Sequence, residues 1–320
     1  MKFTNILKLS SVVAIVTLSL SLFSCGDDEN ENAPGPTITA FSPESGVVGT
    51  TVTISGTNFS TTPSENVVQF NGASATVLTA SATELTVTVP ADATDGKISV
   101  TIHGKTTATT SDFTIPLPTI TSTFPMIAAP GASVTIKGEN FSPVTEDNIV
   151  KFNGVEATVT SVDEGEITVT VPDGATTGTL TIDVGQQTAE GSFDFEICTG
   201  HAEVVISNVV LSNVGSTSYS VSFTITNVGS TNVDASAYTM QNYASQDDVF
   251  GGDDKAASGY SLTSAPVLAP GESYTAGSFG CGISGGGNTS DYPYLIMQVY
   301  DNGSVEECNE ENNTVVVLFN

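Results

Sequence analysis

Apolar and polar residues alternate with a period of two along most of the chain. Val52 and Ile54, then Val68 and Phe70, are each separated by a polar residue, the mark of a half-buried strand. Residues 218–226 read Ser-Tyr-Ser-Val-Ser-Phe-Thr-Ile-Thr. That order puts Tyr219, Val221, Phe223 and Ile225 on one face of a strand and hydroxyl-bearing residues on the other. Further strands are predicted near 273–279, over 294–300 and over 314–319. No window carries an apolar stripe at helical spacing. Asn71-Gly72 and Asn153-Gly154 lie between strand-like runs and predict tight hairpins, because glycine accepts positive φ and the turn's twist suits its flanks. Pro90 and Pro172 end strands, since proline has no N–H for the ladder. The chain is therefore expected to be all-β.

The same pattern occurs twice. Pro36-Thr37-Ile38-Thr39 returns as Pro118-Thr119-Ile120-Thr121. Val52 to Ser60 returns as Val134 to Ser142, Phe70-Asn71-Gly72 as Phe152-Asn153-Gly154, and Thr86 to Pro90 as Thr168 to Pro172. The offset is 82 residues at every match, so a whole domain has been duplicated.

The repeated motifs are Pro-x-Ile, Val-x-Ile-x-Gly-x-Asn-Phe, Val-x-Phe-Asn-Gly and Thr-Val-Thr-Val-Pro. In that order they resemble the IPT/TIG immunoglobulin-like domain, over about 36–115 and 116–197. The resemblance implies two small β-sandwiches without catalytic residues, serving as spacers that present another module. Asn58, Phe59, Asn140 and Phe141 are then expected to be turn and core residues. Ile115-Pro116-Leu117-Pro118 is expected to be a semi-rigid joint, since proline stiffens linkers.

The N-terminus reads differently. Lys2 and Lys8 precede a mostly apolar, acid-free run from Ile6 to Phe23, the organisation of a secretory signal peptide. Leu22-Phe23-Ser24-Cys25 resembles a bacterial lipobox, with Phe23 where a small residue is usual. The resemblance implies cleavage after residue 24 and acylation of Cys25. More than one acyl chain would hold the protein on a membrane, each buried CH₂ contributing roughly 0.8 kcal/mol. The acidic tether 25–35 that follows resembles the export signal of surface lipoproteins of Bacteroidetes. An ordinary linker in a periplasm-facing lipoprotein is the alternative. The expected location is the outer membrane, lipid-anchored and exposed at the cell surface, with the membrane as a partner through the lipid.

Residues 198–320 break the repeat. Ile225-Thr226-Asn227-Val228-Gly229, Leu268-Ala269-Pro270-Gly271-Glu272 and Glu307-Cys308-Asn309-Glu310-Glu311-Asn312-Asn313-Thr314 resemble the CARDB domain. This implies a third immunoglobulin-like sandwich with an adhesive or accessory role outside the cytoplasm. The fold expected after cleavage of residues 1–24 is thus three immunoglobulin-like β-sandwiches in tandem.

Charge and cysteine count narrow the function. The chain has no arginine, seven lysines, 35 acids and a formal net charge of −28. Removing Lys2 and Lys8 with the leader leaves five cations against 35 acids, or −30. Nucleic acid is excluded as a partner, since nothing neutralises phosphates. His103 and His201, the two histidines, lie far apart in sequence, which leaves little from which to build a histidine-based hydrolase. The expected function is non-enzymatic binding or adhesion to an extracellular protein or polysaccharide. A glycan-capture accessory of a polysaccharide uptake system and a purely structural scaffold are the alternatives.

Candidate sites follow from the last domain. With Cys25 lipidated, Cys198, Cys281 and Cys308 remain. Seven alternating strands would place Cys198 beside Cys308 and Cys281 at the other end. A long Gly-rich loop after Cys281 could instead bring it to Cys308. No two cysteines have zinc-finger spacing. All eight tyrosines lie between Tyr219 and Tyr300. If Leu295, Met297 and Val299 face the core, Tyr292, Tyr294 and Tyr300 form an outer stripe, either a stacking platform or ordinary cross-strand packing. Asp247, Asp248, Asp253 and Asp254 surround two glycines and could offer oxygens to Ca²⁺, although the spacing is not that of an EF-hand and a solvated acidic loop is the plainer reading. No other cofactor is expected. Gly285-Gly286-Gly287 lacks the lysine and helix start of a phosphate loop.

Overall fold

A computed structural model describes residues 34–163, 165–251, 254–283, 289–301, 305–309 and 313–319. Cys25, the apolar leader, most of the tether, Asp253 and Gly285 to Gly287 lie outside the described residues. Gly35–Asn320 form one compact unit. The described residues are nearly all strand and turn, and none of their helices is long and apolar enough to cross a membrane.

The first domain contains β1 (Thr37–Ser42), β2 (Thr51–Thr57), β3 (Val67–Phe70), β4 (Ala73–Ala80), β5 (Glu84–Thr88), β6 (Ile98–Ile102) and β7 (Lys105–Ala108). They form one continuous sheet in the order β1-β2-β5-β4-β3-β6-β7. β4 makes this possible. Its first residues pair with β3, its later ones with β5, and the register shifts between Val77 and Thr79. The sheet closes over Val52, Ile54, Val68, Phe70, Leu85 and their neighbours.

The second domain repeats the plan with β8 (Thr119–Phe124), β9 (Ile127–Ala128), β10 (Ser133–Glu139), β11 (Asn148–Phe152), β12 (Val155–Glu156), β13 (Thr158–Asp163), β14 (Glu166–Thr170), β15 (Gly178–Val184) and β16 (Gln187–Ile197). Here the span equivalent to β4 is broken into β12 and β13. Two separate sheets result, β13-β14-β10-β8 and β12-β11-β15-β16-β9.

The repeated Gly-x-Asn-Phe motif has a concrete job in both domains. A Cβ on Gly56 would stand 1.9 Å from the Thr37 carbonyl oxygen, and one on Gly138 1.9 Å from that of Thr119. Only glycine lets the first two strands of each domain approach so closely. Asn58 and Asn140 turn the chain in the left-handed region, at φ 59 and 62. Their amides donate to the Gly35 and Leu117 carbonyls at 3.0 and 2.8 Å. Phe59 and Phe141 then enter the cores. The Asn-Gly hairpins have positive φ at both central residues, as type I′ turns require.

The third domain contains β17 (Val204–Ser212), β18 (Ser218–Asn227), β19 (Val233–Asp234), β20 (Tyr238–Ser245), β21 (Lys255–Ser261), β22 (Val267–Leu268), β23 (Ser273–Gly282), β24 (Tyr294–Asp301) and β25 (Thr314–Leu318). A three-stranded sheet, β17-β18-β23, faces a four-stranded one, β21-β20-β24-β25. Tyr219, Val221, Phe223 and Ile225 of β18 meet Leu295, Met297 and Val299 of β24 in the core between them.

Candidate functional site

The outer face of the four-stranded sheet gathers the exposed aromatic and aliphatic groups of the third domain. Alternation along β24 sends Leu295, Met297 and Val299 inward, leaving Tyr294, Ile296, Gln298 and Tyr300 outward. Register places Ile296 between Tyr243 of β20 and Val316 of β25, and Tyr294 beside Leu318. The Phe250 ring meets the Tyr243 ring edge-on at 4.7 Å. Tyr300 is 48% exposed and Leu318 51%. Gln241 and Gln298 face each other across this band. They form an apolar patch around the buried Ile296, with Tyr300 set apart beyond the Gln241–Gln298 pair, able to stack on a ring or pack against a polypeptide.

The anticipated tyrosine stripe is therefore split. Tyr294 and Tyr300 lie on the outer face, but Tyr292 packs against the inner core. Its ring lies under the Lys255 ammonium, 5.6 Å from Nζ to centroid. Pro293 precedes the first residue of β24, so strand alternation does not extend back to Tyr292. Sequence reasoning missed Tyr243, Phe250, Val316 and Leu318. Phe250 lies in the loop after β20, and Val316 and Leu318 stand in an unbroken apolar run, so only the cross-strand register, which the sequence does not record, gathers them on one face.

At the end of this domain nearer the repeats, Cys198 and Cys308 are joined, with Cα atoms 5.7 Å apart. The Glu203 carboxylate lies within 4.8 Å of both sulfurs, but bonded sulfurs offer no thiolate to a metal. Glu203 is completely buried, and it accepts from the Asn309 N–H at 3.0 Å. Glu307 accepts from the Tyr238 hydroxyl at 2.6 Å, the Val204 N–H at 3.3 Å and the Asn313 amide at 2.6 Å. Burial pushes the Glu307 carboxyl above its ordinary 4.5, and these donors only partly oppose the shift. The Tyr238 phenol is driven far up, by burial first and then by its bond to Glu307. This polar cluster ties the C-terminal segment to the starts of β17 and β20.

Cys281 sits at the opposite end, in register with Tyr219. It is a buried free thiol. The Asn242 amide lies 3.3 Å from its sulfur, and burial raises its pKa, so it is held as an unreactive thiol. Of the acidic loop, Asp247 accepts from the Val249 N–H at 3.0 Å and Asp254 from the Gly251 N–H at 2.8 Å. These bonds shape the turn. Among the described residues Asp247, Asp248 and Asp254 do not gather into a ligand set.

Comparisons with known proteins place half of this architecture. No curated protein matches the chain. Among solved structures, a plexin A4 full extracellular region aligns at 15% identity and TM-score 0.36, over 89% of this chain and 25% of that one. The surface glycan-binding protein PbSGBP-B from Prevotella bryantii aligns at 16% identity and TM-score 0.28, over 70% of this chain and 60% of that one. SGBP-B from a complex xyloglucan utilization locus in Bacteroides uniformis aligns at 15% identity and TM-score 0.27, over 89% of this chain and all of that one. None of these scores is high enough to count the overall folds as alike. This chain spans about a fifth to a quarter of the length of the plexin structures. The family model for the IPT/TIG domain matches residues 36–115 and again 118–197, together half of the 320 residues. The glycine, asparagine and phenylalanine that build each of these two sandwiches lie inside the matched spans, and the chain belongs to the IPT/TIG family.

Proposed function

We propose that this is a non-enzymatic binding protein of a bacterial cell surface. Acyl groups on Cys25 hold it on the outer membrane, the acidic tether clears the lipid, and the two IPT/TIG domains act as spacers. The third, CARDB-like domain is the binding head. The observation that carries this reading is the outer face of β21-β20-β24-β25. Tyr300, Phe250, Val316 and Leu318 stand exposed there beside Tyr294 and Tyr243, on a domain whose two sheets already share a filled core. Exposed apolar groups that serve no core and adjoin one another mark an interaction surface.

A second reading, capture of a neutral polysaccharide, is favoured by the pairing of tyrosine rings with Gln241 and Gln298. Rings stack on the apolar face of a pyranose and amides meet its hydroxyls. The net charge of −28 opposes anionic glycans.

Two measurements test the proposal. Protease shaving of intact cells should remove the chain from the surface, and Cys25→Ala should release it from the membrane. In affinity gels containing neutral polysaccharides, capture predicts that the full chain is retarded and that Tyr294→Ala with Tyr300→Ala abolishes the retardation. Retardation that survives both substitutions would remove this face from the account. Protection of the chain on intact cells would remove surface display.

A further inference from the structure

The joints between the three domains are built by the same loop of each repeat. Residues 44–50 of the first domain and 126–132 of the second correspond at the 82-residue offset. In the first domain, Val47 and Val48 of this loop belong to the hydrophobic core of the second domain. Val48 is 2% exposed. Its carbonyl accepts a hydrogen bond from Ser142 Oγ at 2.9 Å, and Ser142 is itself fully buried. Gly49 follows at φ +83, so close to the second domain that a Cβ would stand 2.9 Å from Val144 Cγ2. Gly185 leaves room from the other side. A Cβ there would lie 2.6 Å from both the Ala91 oxygen and Val48 Cγ2.

The second joint uses the corresponding loop. Ala129 N–H donates to the Val228 carbonyl at 2.7 Å, and Cys198 N–H to the Ala128 carbonyl at 3.0 Å. Val205 and Val228 of the third domain sit in the second domain's core. The Cys198–Cys308 bond links this junction to the C-terminal segment.

The first domain carries no such socket on its own equivalent face. Where the second domain has Ser142, Val144, Asp147 and Gly185, the first has Ser60, Thr62, Glu65 and His103. Ser60 bonds the Glu65 carboxylate as Ser142 bonds that of Asp147, but His103 puts an exposed side chain, on a backbone at φ 48, where the second domain has Gly185. The socket is thus specific to the second domain and not a by-product of the repeat.

We propose that the three domains form one stiff strut, its joints fixed by Val48–Gly49 seated against Ser142 and Gly185, and by Val228 seated on Ala129. Domains in a chain move freely by default unless their interface is large and hydrophobic. Opening the first joint would expose Val47 and Val48 to water and break the hydrogen bond from Ser142 Oγ to the Val48 carbonyl. The strut holds the last domain at a set distance and direction from residue 35. This inference does not depend on what the last domain binds.

Spin–spin distance measurement tests it on residues 35–320, the compact unit. Labels go on Leu78→Cys in the first domain and Glu190→Cys in the second. Cys281 is buried and the other two cysteines in this span are bonded, so the introduced thiols take the label. The parent should give one narrow distance distribution, and Gly185→His and Val48→Asp should each at least double its width. Cooperative unfolding of each variant establishes that the domains remain folded. Should Gly185→His fail to fold, Val48→Asp carries the comparison, because that residue lies on a loop outside its own domain's core. A broad distribution in the parent, or unchanged widths in the folded variants, would overturn the strut.

Discussion

Replacing Cys198 and Cys308 together by alanine should destabilise the third domain far more than the first two. The bond closes a loop with a sequence separation of 110 residues. Tying the ends of a disordered chain of that length removes about 16 cal/mol/K of its entropy, so the crosslink contributes about 5 kcal/mol at 25 °C. With a urea slope of about 1.5 kcal/mol/M for a domain of this size, the unfolding midpoint should fall by about 3 M. The chain supplies its own reporter. It has no tryptophan, and all eight tyrosines fall between residues 219 and 300. Tyrosine fluorescence therefore follows the third domain alone, while far-ultraviolet circular dichroism follows all three. The tyrosine transition should move by molar amounts, and the residual dichroism transition of the two repeats by much less, through the contacts of Val205 and Val228 alone. A tyrosine midpoint shifted by less than about 0.5 M would refute the loop-entropy reasoning. An equal shift in the repeats would refute the assignment of the crosslink's effect to the third domain.

Three further predictions follow from the repeats. Gly138→Ala should cost the second domain about 3 kcal/mol, at the upper end for overpacking, since the added carbon would meet a backbone carbonyl at 1.9 Å and the Phe141 ring at 2.5 Å; the tyrosine transition should move far less than that of the repeats. Asp183 is held below its ordinary 3.8, first by its bond to Lys151 and then by the Thr188 hydroxyl. A depressed folded pKa adds stability above the unfolded value and loses it as pH falls through the folded value, so a thermal scan below pH 3.8 should show a larger acid loss in the parent than in Asp183→Asn. Phe41→Thr should cost the first domain about 2 kcal/mol, in proportion to its partial burial, and at least about 1 kcal/mol less in a Ser111→Phe background; strict additivity in urea unfolding would sink the exchange described below.

The strands that were legible have inner residues that alternate with hydroxyls that tolerate water. Val52 and Ile54, or Tyr219 to Ile225, are such cases, and tertiary contacts had no reason to override them. The 82-residue spacing made the two repeats readable as copies. Periodicity says nothing about lateral neighbours, however. It could therefore find Tyr294 and Tyr300, which share a strand, but not the Tyr243 and Val316 that flank the same face from other strands. It also misplaced Tyr292, because Pro293 interrupts the alternation at a point no pattern of apolar residues records. The socket for Val48 was hidden for a further reason. Gly185 and His103 occupy equivalent hairpin positions and both accept positive φ, so local chemistry treats them alike, and only the neighbouring domain distinguishes them.

One exchange between the copies shows how far an unbroken repeat can mislead. Phe113 and Phe195 are equivalent and each meets a second ring, Phe70 at 5.0 Å and Phe152 at 4.8 Å. A third aromatic residue joins each core from different strands. In the first domain it is Phe41 of β1, 6.3 Å from Phe113, and Phe41 shares a surface groove with Ser111. In the second domain Phe41 becomes Thr123 and Ser111 becomes Phe193, which packs against that core from β16. The ring volume has moved across the groove while the backbone kept its plan. Cores tolerate such a move if total volume is held. The substitution leaves a trace, since the buried Thr123 hydroxyl has no hydrogen-bond partner, a cost that Phe41 does not carry. Read one position at a time, Phe41 to Thr123 is the loss of a core residue and Ser111 to Phe193 the gain of an exposed one. Read together, they carry one ring from one side of the groove to the other.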